Sequence, residues 1–304
     1  MWVLNLWIVL RSLERFEEAI ASYNRALEIK PDLFQAYSNL GNLYASLANY
    51  EESAINYQKA LEMAPESHEV HFNYAMTLLS LGDYENGLKE YEWRLEKTEA
   101  RPSKIPELEV WDGDLNYQGE LILAREQGLG DLIFVSRYGK ILKEKMKKVS
   151  IVASDVLVPL LKEQNVFDNV YAFSEKNSLS SLKGRAKYIF LFSIFQHLAI
   201  NYQNPLISSK YIHANTELVH KWKSVFDQER SNKELIIALN WQGKPETEKL
   251  TLKGRSFHLE IFSLIANLPN IKFVALQKGD ALDQLDYCSF KHKFVKFQPS
   301  IVLL

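Results

Sequence analysis

The sequence contains a single cysteine, Cys288, among its 304 residues. One cysteine excludes an internal disulfide framework and any zinc site built from several thiolates. A basic excess is also lacking, since 36 Lys and Arg residues stand against 38 Asp and Glu residues. Because nucleic-acid binders usually carry such an excess or a basic stripe, we expect no nucleic-acid partner. The composition is that of a soluble protein with buried cores, and a cytoplasmic compartment fits it best.

An apolar run long enough to span a bilayer is lacking at the start of the chain. The first ten residues, MWVLNLWIVL, are nearly all apolar, but a membrane-spanning helix needs about 20 such residues. A secretory signal would place a positively charged stretch before the run and a small-residue cleavage site after it. The sequence shows neither feature. We therefore expect a buried helix at this position and no membrane span.

Residue types recur along the first third of the chain at an offset of 34 positions. The columns are aromatic (Phe16, Tyr50, Tyr84; Tyr23, Tyr57, Tyr91), small (Ala19, Ser53, Gly87) and proline (Pro31, Pro65). Small residues let two antiparallel helices approach closely, and proline ends the second helix of each pair. The period and the columns resemble the tetratricopeptide family. We therefore predict about three stacked helix pairs over residues 1–96, with a degenerate first and last copy.

The resemblance also predicts what the repeats do. Stacked repeats of this kind usually bind a peptide or protein partner, or act as a spacer, and they carry out no chemistry. The last copy departs from the pattern, since Arg94 occupies a position where the repeat favours a small residue. Terminal repeats commonly diverge in this way where their outer face meets another part of the protein.

The 34-residue repeat ends at a polar stretch, and a different residue pattern follows it. Residues 97–119 contain two prolines, two glycines and many charges, which predicts a linker or an extended lead-in. From Glu120 onward, short apolar runs alternate with helical patterns, as in GELILARE, VSIVAS, KYIFLFS, ELIIALN and IKFVALQ. This alternation indicates an α/β fold with a parallel sheet. We predict a Rossmann-like lobe over residues 120–233 and the start of a second lobe over residues 234–304.

Three predicted strands are followed by loops of glycine and polar residues. Ligands bind at the carboxyl ends of the strands in parallel sheets, so these loops are the candidate site. The candidate ligand-binding residues in them are Glu126, Gln127, Gly128, Gly130, Asn240, Gly243, Gln277 and Lys278. The turn at 128–131 is not a dinucleotide fingerprint, because the third glycine of that motif would fall at Ile133.

Asp131 has two interpretations on the sequence alone. It lies at the predicted start of a helix, where a carboxylate caps the helix and stabilises it by about 1 kcal/mol. It also follows the paired glycines Gly128 and Gly130 at the edge of the predicted sheet, where a carboxylate can act on a ligand. The residue pattern leaves both interpretations open.

Several segments together resemble a known family. They are YEWRLEK at 91–97, Trp111, EQGLGDLIFVSRY at 126–138, NWQG at 240–243, GRS at 254–256 and ALQKG at 275–279. In this order they resemble bacterial tetratricopeptide-repeat proteins fused to a glycosyltransferase-type domain, which is similar to the heptosyltransferases with the two-lobed GT-B fold. The resemblance implies transfer of a sugar from a nucleotide-sugar donor to a glycan or protein hydroxyl, with no metal required.

The resemblance also implies roles for individual residues. Asp131 matches the family's general base, which would accept the proton of the attacking hydroxyl. Arg255, Lys278 and Lys244 are candidates for holding the donor diphosphate, although each could also be a solvated loop charge. Ser256 is a further candidate ligand-binding residue. The family's later donor-holding segment has no counterpart after Lys278, so the second lobe is expected to be truncated or to have lost its donor site. The alternative function is a protein-interaction scaffold with an inactive glycosyltransferase remnant.

Overall fold

The computed structural model describes residues 15–96, 104–126, 128–206, 210–229, 231, 233–243 and 256–295. The expected helix over the first ten residues lies outside these ranges. The chain divides into two compact units, residues 1–213 and residues 214–304. The first unit contains the repeats together with a five-stranded sheet, and the second contains a two-stranded sheet.

The described part of the first unit starts with five helices that follow the 34-residue period. They are α1 Phe16–Ile29, α2 Phe34–Ser46, α3 Tyr50–Met63, α4 His68–Leu81 and α5 Tyr84–Tyr91, followed by a 3-10 helix over Glu92–Glu96. Helices α1 and α3 end just before Pro31 and Pro65, as predicted. Neighbouring helices pack against one another through the small and aromatic columns, which confirms the helical-repeat architecture.

The small-residue columns allow close helix contacts. A Cβ atom placed at Gly41 would lie 2.7 Å from the ring of Tyr57, so only glycine admits that ring. The Ser53 hydroxyl donates to the Gly41 carbonyl oxygen over 2.9 Å and lies 3.1 Å from the Thr77 hydroxyl. Gly41 and Ser53 are therefore small for direct packing and hydrogen-bonding reasons.

The five strands of the first unit form one parallel sheet. They are β1 Glu109–Val110, β2 Glu120–Ala124, β3 Lys148–Ala153, β4 Asn169–Ala172 and β5 Ala186–Phe190, in the order β1-β5-β2-β3-β4. Side chains of β2 alternate between two apolar clusters, with Leu121 and Leu123 on one face and Ile122 and Ala124 on the other. Burial on both faces is typical of parallel sheets and explains the continuous apolar runs.

The predicted helix after β2 is split in two. The structure has α6 Leu129–Ser136 and α7 Gly139–Lys145, separated at Arg137 and Tyr138. A Cβ atom at Gly139 would lie 2.6 Å from side-chain atoms of both Val166 and Phe167, so the second segment is drawn tightly onto the core. Two further short helices follow in this unit, α8 Val158–Glu163 and α9 Ile194–His197.

The stretch predicted as a linker contributes to the sheet. Strand β1 pairs in parallel with β5, and Trp111 directly after it is 2% exposed. Ile105 and Leu108 are also buried. The lead-in thus packs on the sheet before the chain enters β2. The sequence did not predict strand β1, because a strand of two residues is too short to give an alternating pattern.

The second unit contains helix α10 Thr216–Glu229 and the parallel strands β6 Leu235–Leu239 and β7 Ile271–Ala275. Between and after them lie the short helices α11 Ser263–Ala266 and α12 Gln284–Tyr287. Trp241, Leu259 and Phe273 form the centre of its core. The strand predictions for ELIIALN and IKFVALQ are confirmed.

Candidate functional site

The glycine turn lies at the carboxyl end of β2 and opens α6. The Gly128 N–H donates to Asp131 Oδ2 over 3.0 Å, so Asp131 caps its own helix. This is one of the two roles that the sequence left open. The capping bond occupies only one carboxylate oxygen of a half-buried side chain. The role of Asp131 as a general base stays a prediction.

The two glycines of the turn are exposed and have open space around them. A Cβ atom at Gly130 would meet no atom within 4 Å, and one at Gly128 would meet only Asp131 Oδ2 at 3.2 Å. Packing within the fold therefore does not require glycine at position 130. The close approach of a ligand to the backbone at this glycine, which the sequence predicts, stays a prediction.

We expect Gly130→Ala to raise the free energy of unfolding by about 0.5 kcal/mol, because alanine is favoured over glycine inside a helix. The matched control is Gly41→Ala, which should lower it by about 1–3 kcal/mol because its Cβ overlaps the Tyr57 ring. Urea unfolding followed by circular dichroism measures both. A destabilised Gly130→Ala protein would show that the fold itself needs this glycine.

Glu126, the first residue of the predicted binding loop, is held in a buried ion pair. Its side chain is 1% exposed, and Arg94 Nε lies 2.8 Å from its Oε2. Arg94 Nη2 donates to Glu126 Oε1 over 3.1 Å and to the Ser193 hydroxyl over 2.8 Å. The Phe192 N–H donates to Glu126 Oε1 over 2.6 Å, and Glu92 completes the network at 2.7 Å from Arg94 Nη1.

This network explains why the last repeat departs from the small-residue pattern. Arg94 comes from the 3-10 helix after α5, whereas Glu126 and Ser193 follow strands β2 and β5. The arginine therefore joins the end of the repeats to the carboxyl edge of the sheet. The structure places Glu126 at this junction with its polar atoms engaged, and its role as a ligand-binding residue stays a prediction. Gln127 lies outside the described residues.

The candidate residues of the second unit meet at the ends of β6 and β7. Gln277 is 7% exposed, and its Oε1 accepts from the N–H groups of Trp241 and Gln242 over 3.1 and 2.9 Å. Its Nε2 donates to the Gln242 and Lys278 carbonyl oxygens. Gln277 thus ties one loop to the other.

The neighbours of Gln277 are more accessible. Asn240, Gly243 and Lys278 are exposed, and the Gly243 N–H donates to the Ser256 hydroxyl over 3.0 Å. The structure brings Asn240, Gly243, Ser256 and Lys278 to one edge of the two-stranded sheet. Arg255 and Lys244 lie outside the described residues, so their proposed contact with a diphosphate stays a prediction.

A cavity of about 260 Å³ lies at the junction between the repeats and the first sheet. Its polar lining consists of Glu92, Glu96, Lys104, Ser193 and His197, beside the Trp111 indole. Burial lowers the pKa of His197, and the charges of Glu92 and Asp112 oppose that shift. Ligand pockets usually measure about 300–1,000 Å³, so this cavity is small for a substrate.

Two properties concern the described part of the chain as a whole. No group of three or more His, Cys, Asp or Glu side chains within it is arranged to hold a metal ion. Within the same residues, no helix combines the length and apolar character that crossing a bilayer requires.

Comparisons with known proteins concern the first third of the chain. Residues 9–48 match a family described as TPR repeat, and residues 34–67 and 56–89 match families described as tetratricopeptide repeat. No curated protein matches the sequence. Similar solved structures include one titled crystal structure of MamA, with 21% identity and a TM-score of 0.30. Another is a tetratricopeptide repeat protein from Parabacteroides merdae, with 25% identity and a TM-score of 0.29.

Each of these likenesses covers 32% of this chain. They span 57% of the MamA chain and 38% of the Parabacteroides merdae chain, which is less than two thirds of either. The matched residues coincide with the helices that show the 34-residue period. The chain therefore contains tetratricopeptide repeats over residues 9–89, and a parallel-sheet α/β part follows them.

Proposed function

We propose that the protein is an interaction module whose repeats bind a segment of a partner protein on a surface formed by α2 and α4. This surface, the α2/α4 face, consists of equivalent positions of two successive repeats: Gln35, Asn39 and Asn42 on α2, and Glu69, Asn73 and Met76 on α4. The spacing i, i+4, i+7 puts each triplet on one stripe of its helix.

One observation carries the proposal, namely that hydrogen bonds join the two stripes. Asn42 Oδ1 accepts from Asn73 Nδ2 over 3.0 Å and from the Tyr57 hydroxyl over 2.7 Å. The two helices are therefore held in register at this surface. Preorganisation of this kind lowers the entropy that a partner loses on binding.

The rest of the face offers both polar and apolar contacts. Asn39 is half-buried, and its side chain makes no hydrogen bond among the described residues. The side-chain amide therefore offers one acceptor and two donors to a peptide backbone. Met76 on α4 is 47% exposed, and methionine adapts to varied apolar side chains. A partner segment with backbone groups to satisfy and one apolar anchor fits this surface.

We expect Asn39→Ala and Met76→Ala each to weaken binding of a partner peptide about 10-fold, as the loss of a central interface contact does. The peptide is obtained by display selection against the full chain, and isothermal titration measures the affinity. Ile55→Ala is the matched control, because Ile55 on α3 is 43% exposed and lies off the face. Equal affinities for all four proteins would contradict the proposal.

A second proposal concerns the α/β part. We propose that it transfers a sugar from a nucleotide-sugar donor, with Asp131 as the base and without a metal, in a cytoplasmic setting. Support comes from the parallel sheet, whose carboxyl edge carries the exposed turn of Gly128 and Gly130. The interaction module is the stronger of the two proposals, because the matched families concern only the repeats.

The variant Asp131→Asn tests this second proposal. Asparagine retains an oxygen that accepts from the Gly128 N–H, so stability should change little, whereas the base is removed. We expect transfer to fall about 100-fold or more while donor binding is retained. A chromatographic assay with radiolabelled nucleotide sugars measures transfer, and a variant as active as the native chain would exclude Asp131 as the base.

A further inference from the structure

Polar side chains converge at the carboxyl edge of the three adjacent strands β2, β3 and β4. Arg125 follows β2, Ser154 and Asp155 follow β3, and Phe173 follows β4. The guanidinium carbon of Arg125 lies 4.9 Å from the centroid of the Phe173 ring. Since Leu123 is paired with Ile151 and Ala153 with Ala172, the register brings these residues to neighbouring positions.

Two buried polar atoms at this edge have no partner among the described residues. Ser154 is 8% exposed, and its hydroxyl oxygen makes no hydrogen bond. The Nε atom of Arg125 is likewise buried without an acceptor. Buried polar groups in proteins are nearly always hydrogen-bonded, so each such atom calls for an explanation. Because Arg125 can only donate, any group that pairs with it is an acceptor.

Two cations, Arg125 and Lys176, lie on the Phe173 ring at this edge. Lys176 Nζ lies 4.5 Å from the centroid of the same Phe173 ring, which adds a second cation to that of Arg125. The carboxylate of Asp155 accepts from the Ser174 hydroxyl, and this bond, with a smaller contribution from Arg125, lowers the pKa of Asp155. The neighbouring carboxylate of Glu126 is paired with Arg94.

We propose that this edge binds a phosphate group of a small molecule, with Arg125 and Ser154 as its direct donors. Arginine recognises phosphate through a planar set of N–H donors, and a serine hydroxyl adds a further donor. Ligands of parallel sheets bind at this edge in general. The inference is independent of partner binding by the repeats and of sugar transfer.

Isothermal titration of the full chain with inorganic phosphate, pyrophosphate and acetate, at constant ionic strength, tests the proposal. We expect saturable binding of phosphate or pyrophosphate and none of acetate. Arg125→Gln should weaken it about 10-fold or more, because a charge-assisted donor is lost. Arg185→Gln is the matched control, because Arg185 is exposed and precedes β5 at the opposite edge of the sheet. It should leave binding unchanged.

Ser154→Ala separates ligand binding from folding. Because its hydroxyl has no partner among the described residues, its removal should leave the thermal midpoint unchanged or raised, while phosphate binding weakens about threefold or more. A lowered midpoint with unchanged phosphate binding would assign the hydroxyl to a structural water and overturn the proposal. Absence of saturable phosphate and pyrophosphate binding by the native chain, or acetate bound as tightly as phosphate, would also overturn it.

Discussion

Replacing Arg94 by methionine is expected to lower the free energy of unfolding of the first unit by about 3–5 kcal/mol, the cost of breaking a buried ion pair from one side. Without the guanidinium, the 1% exposed carboxylate of Glu126 retains the Phe192 N–H as its only donor among the described residues. Glu92 would lose its cation as well and keep only the Ser193 hydroxyl as a donor among the described residues. Charges left uncompensated in this way account for most of the expected loss.

Amide hydrogen exchange of residues 121–124, read by mass spectrometry, measures this loss in the full chain. The same measurement on Glu126→Gln should show a smaller effect, since Arg94 keeps Glu92 and Ser193 as partners. Lys183→Met is the matched control. Lys183 lies 2.7 Å from Glu107 in a pair whose side chains are 69% and 58% exposed. Exposed ion pairs of this kind contribute about 0–1 kcal/mol to the free energy of unfolding. Similar losses for Arg94 and Lys183 would contradict the assigned role of the buried pair.

Glu120 is the second position where a large effect is expected. This carboxylate is 5% exposed and accepts from Lys148 over 2.7 Å, Ser150 over 2.5 Å, and Asn169 and Tyr171 over 2.9 Å each. Replacing it by alanine leaves several polar groups at the amino end of the sheet without their shared acceptor. We expect Glu120→Ala to lower the free energy of unfolding by about 3 kcal/mol. Urea unfolding at pH 7 measures the change.

The same group makes stability depend on pH. Burial alone would raise the pKa of Glu120, but the hydrogen bonds from Lys148, Ser150, Asn169 and Tyr171 outweigh burial and lower it. The stabilisation is therefore present above the usual glutamate pKa and is lost as pH falls toward the lowered value. We expect the free energy of unfolding of the native chain to exceed that of Glu120→Gln most near pH 7. The difference should shrink below pH ~4.5. An advantage unchanged at low pH would contradict this assignment.

The sequence predicted helices and strands well where they carry a repeated or continuous apolar pattern. The 34-residue columns placed α2 and α3, and apolar runs placed β2, β3, β5, β6 and β7. It missed the break at Arg137, because the cause is the packing of Gly139 against Val166 and Phe167, a contact between segments distant in sequence. Strand β1 was missed because a two-residue strand has no alternation to detect.

The candidate site was only partly predictable for a similar reason. The carboxyl edge of the sheet was located correctly from the strand ends, but the pairing of Glu126 with Arg94 joins residues 32 positions apart. Arg94 did give a signal, as a large charged residue in a small-residue column. Arg125 and Ser154 stand directly after buried strands, yet only the structure shows that Arg125 Nε and the Ser154 hydroxyl are buried without partners among the described residues.

Site-specific photo-crosslinking tests the central claim, that partners bind the α2/α4 face. A photoreactive amino acid replaces Met76 on the face or Ile55 off it, two positions of similar exposure, 47% and 43%. Each full-length protein is irradiated with the selected partner peptide, and the crosslinked product is quantified by mass spectrometry. We predict crosslinking at position 76 that an excess of unlabelled peptide abolishes, and little at position 55. Equal yields at both positions, or crosslinking confined to position 55, would contradict the account.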